Sequence, residues 1–242
     1  IYLYANNKDE QYSYIDAAEA KGYSVLLMDG QLDIAVVSML EQKLEKSRFM
    51  RVDSDVIDRL IVKDDAEKQT LPQEKQEELS TLFKSQVPSM DKSEFTVVAQ
   101  SLGGTAVPVM ITQSEYMRRM KEMANIQAGM SFYGEMPDMF NLVLNTDHKL
   151  IKEVLQQEEA ACSNDLTSLN VQMNTLDTER KSLRKQHEGK KQDEIPTAEK
   201  DQLESLDKQW NELKGKKDEL LSTFAGQQPV VRQLIDLALL QN

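Results

Sequence analysis

Two leucine-rich arms constrain this chain more than anything else in it. Leu166, Leu169, Met173, Leu176 and Leu183 recur at alternating three- and four-residue steps, with Arg180 in one core slot. After the polar turn Glu188–Pro196 the pattern returns at Leu203, Leu206, Trp210, Leu213 and Leu220, with Lys217 in a core slot. Heptad spacing of this kind winds helices about a shared seam. Two arms flanking a Gly/Pro turn predict an antiparallel coiled-coil hairpin, which Gly226–Pro229 ends.

The segments before the hairpin alternate strand and helix patterns. Ile1–Ala5 reads as a strand, residues 11–21 as a helix closed by Gly22, and Tyr23–Met28 as a buried strand. Leu32–Glu45 reads as a helix with Ile34, Val37, Leu40 and Leu44 on one side, and Phe49–Val52 as a third strand. This βαβαβ order predicts a small α/β layer with parallel pairing and right-handed crossovers. A charged stretch from about 61 to 76, containing Pro72, is the linker candidate.

An α+β region follows. Gln73–Ser85 reads as an amphipathic helix. Phe95–Leu102 and Val107–Thr112, separated by Gly103-Gly104, read as a β-hairpin. Ser114–Gln127 is helical, Phe132–Leu144 irregular, and Asp147 opens a further helix to about Ala161. Val230–Leu240 is a last, strongly apolar helix. The expected domains are 1–70, an α/β layer, and 71–242, with 163–229 as the helical hairpin.

Charge and composition exclude several function classes. A formal charge of −12 repels phosphate backbones and anionic lipid, so neither nucleic acid nor membrane is an expected partner. No apolar run reaches the roughly 20 residues of a membrane helix. The single cysteine, Cys162, fits a reducing cytoplasm and reads as an apolar filler. The opening residues lack signal-peptide character, and the sequence is expected to begin inside a longer protein.

Catalytic and metal-binding patterns are not visible. A phosphate-binding turn needs glycines where backbone amides approach the ligand, and the turn after the first strand, Ala5-Asn6-Asn7-Lys8-Asp9-Glu10, has none. His148 and His187 lack partners at ligand spacing and read as capping or surface residues. The pair Glu158-Glu159 reads as a solvated helix face. No metal site, resident cofactor or catalytic group is expected.

Methionine is unevenly spread. Met110, Met117, Met120, Met123, Met130, Met136 and Met139 put seven of the twelve methionines within thirty residues. On the helix, Tyr116, Met120 and Met123 share one side, while Arg118, Arg119 and Lys121 point elsewhere. A methionine surface adapts to partners of many shapes. On spacing alone, core residues are the favoured reading.

The order of short motifs adds a resemblance. Ile1-Tyr2-Leu3-Tyr4, Lys21-Gly22-Tyr23-Ser24-Val25-Leu26-Leu27-Met28, Leu32-Asp33, Leu144-Asn145-Thr146-Asp147-His148 and Leu237-Ala238-Leu239-Leu240 resemble, in that order, the end of the middle domain and the C-terminal domain of the heat-shock-90 chaperones. The bacterial members are the most similar. Thr146 replaces the usual proline, the hairpin looks like an insertion, and the family continues into one helix more.

The resemblance implies a fragment of an ATP-dependent chaperone, itself no enzyme. ATP and magnesium would bind in an N-terminal domain outside this sequence. It implies client binding by non-native proteins at Tyr116, Met117, Met120 and Met123, to which the methionine cluster adds Met130, Phe132, Met136 and Met139. It also implies a homodimer through Val231, Leu234, Ile235, Ala238 and Leu239, weakened if the last helix is missing. The alternative is a coiled-coil adaptor whose hairpin docks a fixed protein partner, with the methionines as core.

Overall fold

A computed structural model describes residues 1–30, 32–56, 61, 71–126, 136–189 and 195–241. The fold is mixed α+β, in two compact units: residues 1–152 with 230–242, and residues 153–229.

The first unit opens with β1 (Tyr2–Ala5), α1 (Tyr12–Ala20), β2 (Val25–Leu27), α2 (Asp33–Lys43) and β3 (Phe49–Arg51). The strands form one sheet in the order β2-β1-β3, all parallel, as the alternating pattern requires. Gly22, at φ +81°, turns the chain from α1 into β2 in a conformation that glycine adopts without strain. Leu3 and Ala5 pack with Tyr14, Ala18 and Val52 on one face, and Tyr4 with Val37 and Phe49 on the other. Leu44 lies beyond the end of α2 and is exposed, not on its buried side.

The second sheet departs from expectation. It contains β4 (Ser93–Gln100), β5 (Val109–Gln113) and β6 (Asp138–Asn145), in the order β4-β6-β5. β6 runs parallel to β4 and antiparallel to β5, so β4 and β5 are not a hairpin. The segment read as irregular supplies the central strand. Its run Leu142-Val143-Leu144 is buried on both faces, and a strand of that kind takes the middle of a sheet. Gly103-Gly104 therefore serve a loop, with Gly103 at φ +86°. α3 (Gln73–Lys84) packs against β4 and buries Leu79, Leu82 and Phe83. α4 (Glu115–Ile126) follows β5 directly.

The second unit is helical. The helix read from 147 to 161 and the first leucine arm are one element, α5 (Lys149–Gln186), 38 residues long. α6 (Thr197–Gly226) returns, and α7 (Pro229–Leu240) rejoins the first unit. Asn170 meets Lys217, Arg180 meets Asp207 and His187 meets Glu199, so partner numbers fall as residue numbers rise and α5 and α6 run antiparallel. The Arg180 guanidinium lies 4.8 Å from the Trp210 ring centre, and Lys217 Nζ donates to Asn170 Oδ1 at 2.7 Å. Both polar core slots are thus engaged across the pair. Glu158 is buried, unlike its exposed neighbour Glu159, because it continues the stripe of Val154, Cys162 and Leu166.

None of the described helices is long and apolar enough to cross a membrane. Leu142 has no solvent exposure. Leu142→Ala is expected to destabilise the chain by about 2–5 kcal/mol, read as a lower urea midpoint at unchanged slope.

Candidate functional site

The short helix α4 carries the most information about function. Glu115, Arg118 and Arg119 stand at i, i+3 and i+4, one helical face, and that face turns inward. Glu115 Oε1 accepts from Arg118 Nη2 and Arg119 Nε, each at 2.6 Å, and from the Tyr4 hydroxyl at 3.0 Å. Arg118 Nη2 also reaches the Tyr4 hydroxyl at 2.6 Å. Arg119 spans further, from Nη1 to Glu41 Oε2 at 2.7 Å and from Nη2 to the Phe49 carbonyl at 2.7 Å.

These groups seal the outer edge of β3. Tyr2 N donates to Arg48 O and Val52 N to Tyr4 O, so Phe49 and Arg51 point their backbone groups away from β1. Phe49 N then donates to Glu41 Oε1 at 2.7 Å, Phe49 O accepts from Arg119, and Arg51 N donates to Glu115 Oε2 at 3.3 Å. Side chains of α2 and α4 thus stand in for a fourth strand. The sequence showed the i, i+3, i+4 triplet but not its partners, which lie about 70–110 residues away. The arginines were expected to point away from the methionine side, with no partner assigned. They point inward because a guanidinium brings donors enough for two carboxylates, a phenol and a carbonyl at once.

Titration follows from this geometry. Burial raises the Tyr4 hydroxyl to about 12, with the Glu115 charge adding to it. Burial pushes the Glu115 carboxyl up too, but Arg118 and Arg119 outweigh that and hold it below its ordinary value.

The outer side of α4 is apolar. Tyr116 is 67% exposed, and Met117 and Met120 are half-buried. Met136 and Met139 are half-buried at and before β6. Met130 and Phe132 fall outside the described residues, as does the side chain of Met123. Tyr116 stands at a cleft of about 800 Å³ whose walls include Phe49, Val98, Gln100, Asn141 and Val143. Lys121 is tied to Asp138 at 2.7 Å.

The motif Asn145-Thr146-Asp147-His148 is a clamp on the loop before β5. Asn145 Nδ2 donates to the carbonyls of Gly103 and Ala106, and its Oδ1 accepts from Leu102 N. Asp147 Oδ2 accepts from Ser101 Oγ at 2.7 Å and Gly103 N at 2.8 Å. These bonds outweigh partial burial and lower its pKa. His148 Nδ1 accepts from Leu150 N at 3.2 Å and caps α5.

Comparison with known proteins agrees with these motifs. The sequence model of the Hsp90 protein family matches residues 1–180. The chaperone protein HtpG of Bacteroides thetaiotaomicron is 66% identical over 242 residues, 100% of this chain and 36% of that protein. HtpG of Bacteroides fragilis gives the same identity and coverage. HtpG of Porphyromonas gingivalis is 46% identical over 240 residues, 99% of this chain and 35% of that protein. This chain belongs to the Hsp90 family. It spans about a third of the length of these relatives, and the match to them runs through the helical pair α5–α6 as well.

Family membership raises the question of nucleotide. The crevice beyond β1 is where a parallel sheet of this order would hold one. Here Asn6 N and Asn7 N donate to Gln11 Oε1 at 2.9 and 3.1 Å, and Asp9 N and Glu10 N to Asn7 Oδ1. The amides that would cradle a phosphate are already bonded, two acids flank them, and the residues do not fit a nucleotide. Among the described residues no cluster of acids, histidines or cysteines suits a metal ion. On the last helix of this Hsp90-family chain, Val231, Leu234, Ile235 and Ala238 are buried within the single chain and Leu239 is half-buried. The apolar residues exposed there are Leu237 and Leu240.

The depressed Glu115 pKa has a measurable consequence. A carboxylate whose folded pKa lies below its unfolded one adds stability above the unfolded value, about 4.3, and loses it as pH falls through the folded value. Glu115→Gln is expected to cost roughly 1–3 kcal/mol at neutral pH. Its deficit against the parent chain should shrink as the buffer is acidified below about pH 4. Urea unfolding of both proteins across that range reads it, and a deficit that does not change with pH refutes it.

Proposed function

We propose that this chain is the client-gripping and dimerising part of an ATP-dependent chaperone, and not itself an enzyme. One observation carries the reading: α4 spends its charged side on the protein and leaves Tyr116 67% exposed at an open cleft, with Met117 and Met120 half-buried on the same helix outside the cleft's lining. A soluble core helix does the reverse. An adaptable apolar face fixed by charge from behind suits partly unfolded proteins, whose exposed apolar side chains vary in shape. Met136, Met139, Met123, Met130 and Phe132 would widen that face.

Family membership supports the rest. The relatives are named as chaperones. Residues 1–70 correspond on this reading to the end of a middle domain, and 71–242 to a C-terminal domain with an inserted coiled-coil hairpin at 163–229. The engaged core slots Arg180 and Lys217 favour that hairpin, since polar core groups pin helix register. ATP and magnesium belong to a domain outside this sequence. A second copy would join through α7, where Val231, Leu234, Ile235, Ala238 and Leu239 seat the helix and Leu237 and Leu240 remain for the partner; two clefts then act together with gained avidity. The compartment proposed is the cytoplasm. The long antiparallel pair α5–α6 favours a second reading, a docking adaptor; deleting 165–226 would abolish an adaptor's partner binding and leave client holding intact.

Met120→Glu tests the main reading. The variant is expected to suppress aggregation of a chemically unfolded test protein at least several-fold less well, with its melting temperature within a degree or two of the parent. Melting several degrees lower, with client holding lost only in proportion, identifies Met120 as core and overturns the proposal.

A further inference from the structure

The two edges of the first sheet are treated differently. The β3 edge is closed by Glu41, Glu115 and Arg119. On the other side, Ala5 pairs with Leu27 and accepts from Met28 N at 2.7 Å, so Leu26 and Met28 face β1 while Val25 and Leu27 face outward. Among the described residues no hydrogen bond reaches the outer N–H and C=O groups of Val25 and Leu27. Leu26 and Leu27, on opposite faces of the strand, are 47% and 54% exposed. An open edge with apolar side chains on both faces is a template for another strand. Folded proteins blunt such edges with charge, as β3 does; β2 carries none.

The charges around β2 select the partner. Exposed Asp16 and Glu19 lie on α1, which packs against β2, Lys21 follows that helix and exposed Asp29 follows the strand, in a chain of net charge −12. An extended segment bearing lysine or arginine between apolar residues matches both the leucines and this field, and acidic segments are repelled. We propose that the outer edge of β2 takes up an extended, basic and apolar segment of a non-native protein as an added strand. Main-chain bonds supply affinity regardless of client sequence, and Leu26 and Leu27 supply apolar contact on either face. The partner's identity rests on the chaperone reading above; the edge itself does not depend on α4.

The test uses the whole 242-residue chain and a blocked peptide of alternating leucine and lysine. Amide exchange followed by NMR should slow at least ten-fold at Val25 and Leu27 on adding the peptide, and stay unchanged at Leu26, whose amide already faces β1. The same peptide N-methylated at alternate residues, with one hydrogen-bonding edge removed, should lose at least ten-fold in affinity. Unchanged exchange at Val25 and Leu27, or equal binding of the methylated peptide, overturns the proposal. The Met120→Glu chain is measured alongside. Protection kept in that variant supports β2 as a site in its own right; protection lost with it overturns β2 and leaves the α4 reading standing.

Discussion

The Arg119 guanidinium ties α4 to the outer edge of the first sheet. It bonds Glu41 from α2, Glu115 from its own helix and the Phe49 carbonyl of β3. Few side chains can do this, because it takes a planar fork of donors with fixed directions. The arrangement contributes little net stability, since removing these charges from water costs about what their attraction returns. What it supplies is geometry. Breaking one member leaves the others short of a partner, so α4 has one seat on the β3 edge and not several.

Seating a helix by charge has a consequence for its other side. An apolar stripe drives most helices onto a core, and the exposed side is then polar. With Glu115, Arg118 and Arg119 turned inward, Tyr116 is left 67% exposed without loosening the helix. A protein that must keep apolar surface open in water gains from this separation.

Elements were legible in the sequence where the signal is local and repeated. The leucine arms, the three parallel strands and the apolar last helix each show a period that one face of an element imposes. β6 was lost because Pro137 and Gly134 precede it and Asp138–Asn141 mixes polar and apolar residues; its centrality is a property of pairing with β4 and β5, which no local pattern encodes. The same limit hid the β3 seal. Glu115, Arg118 and Arg119 are visible as a triplet, but Tyr4, Glu41 and Phe49 become their partners only through the fold. Glu158 was misread for a related reason: its neighbour Glu159 drew it into a polar pair, while the helical stripe of Val154, Cys162 and Leu166 had already assigned it inward.

The short family-like motif at residues 145–148 shows how a sequence signature can mark construction instead of chemistry. Asn145 and Asp147 spend their polar atoms on the backbone of residues 102–106 and on Ser101. That loop follows β4 and leads into β5, so the clamp fixes where β5 begins, and β5 passes straight into α4. Position is therefore handed along the chain, from the clamp to the strand to the helix start. There Glu115 takes it up at the β3 edge. The exposed face of α4 is held at both ends of this path by buried polar bonds, which is why so much charge lies beneath so apolar a surface.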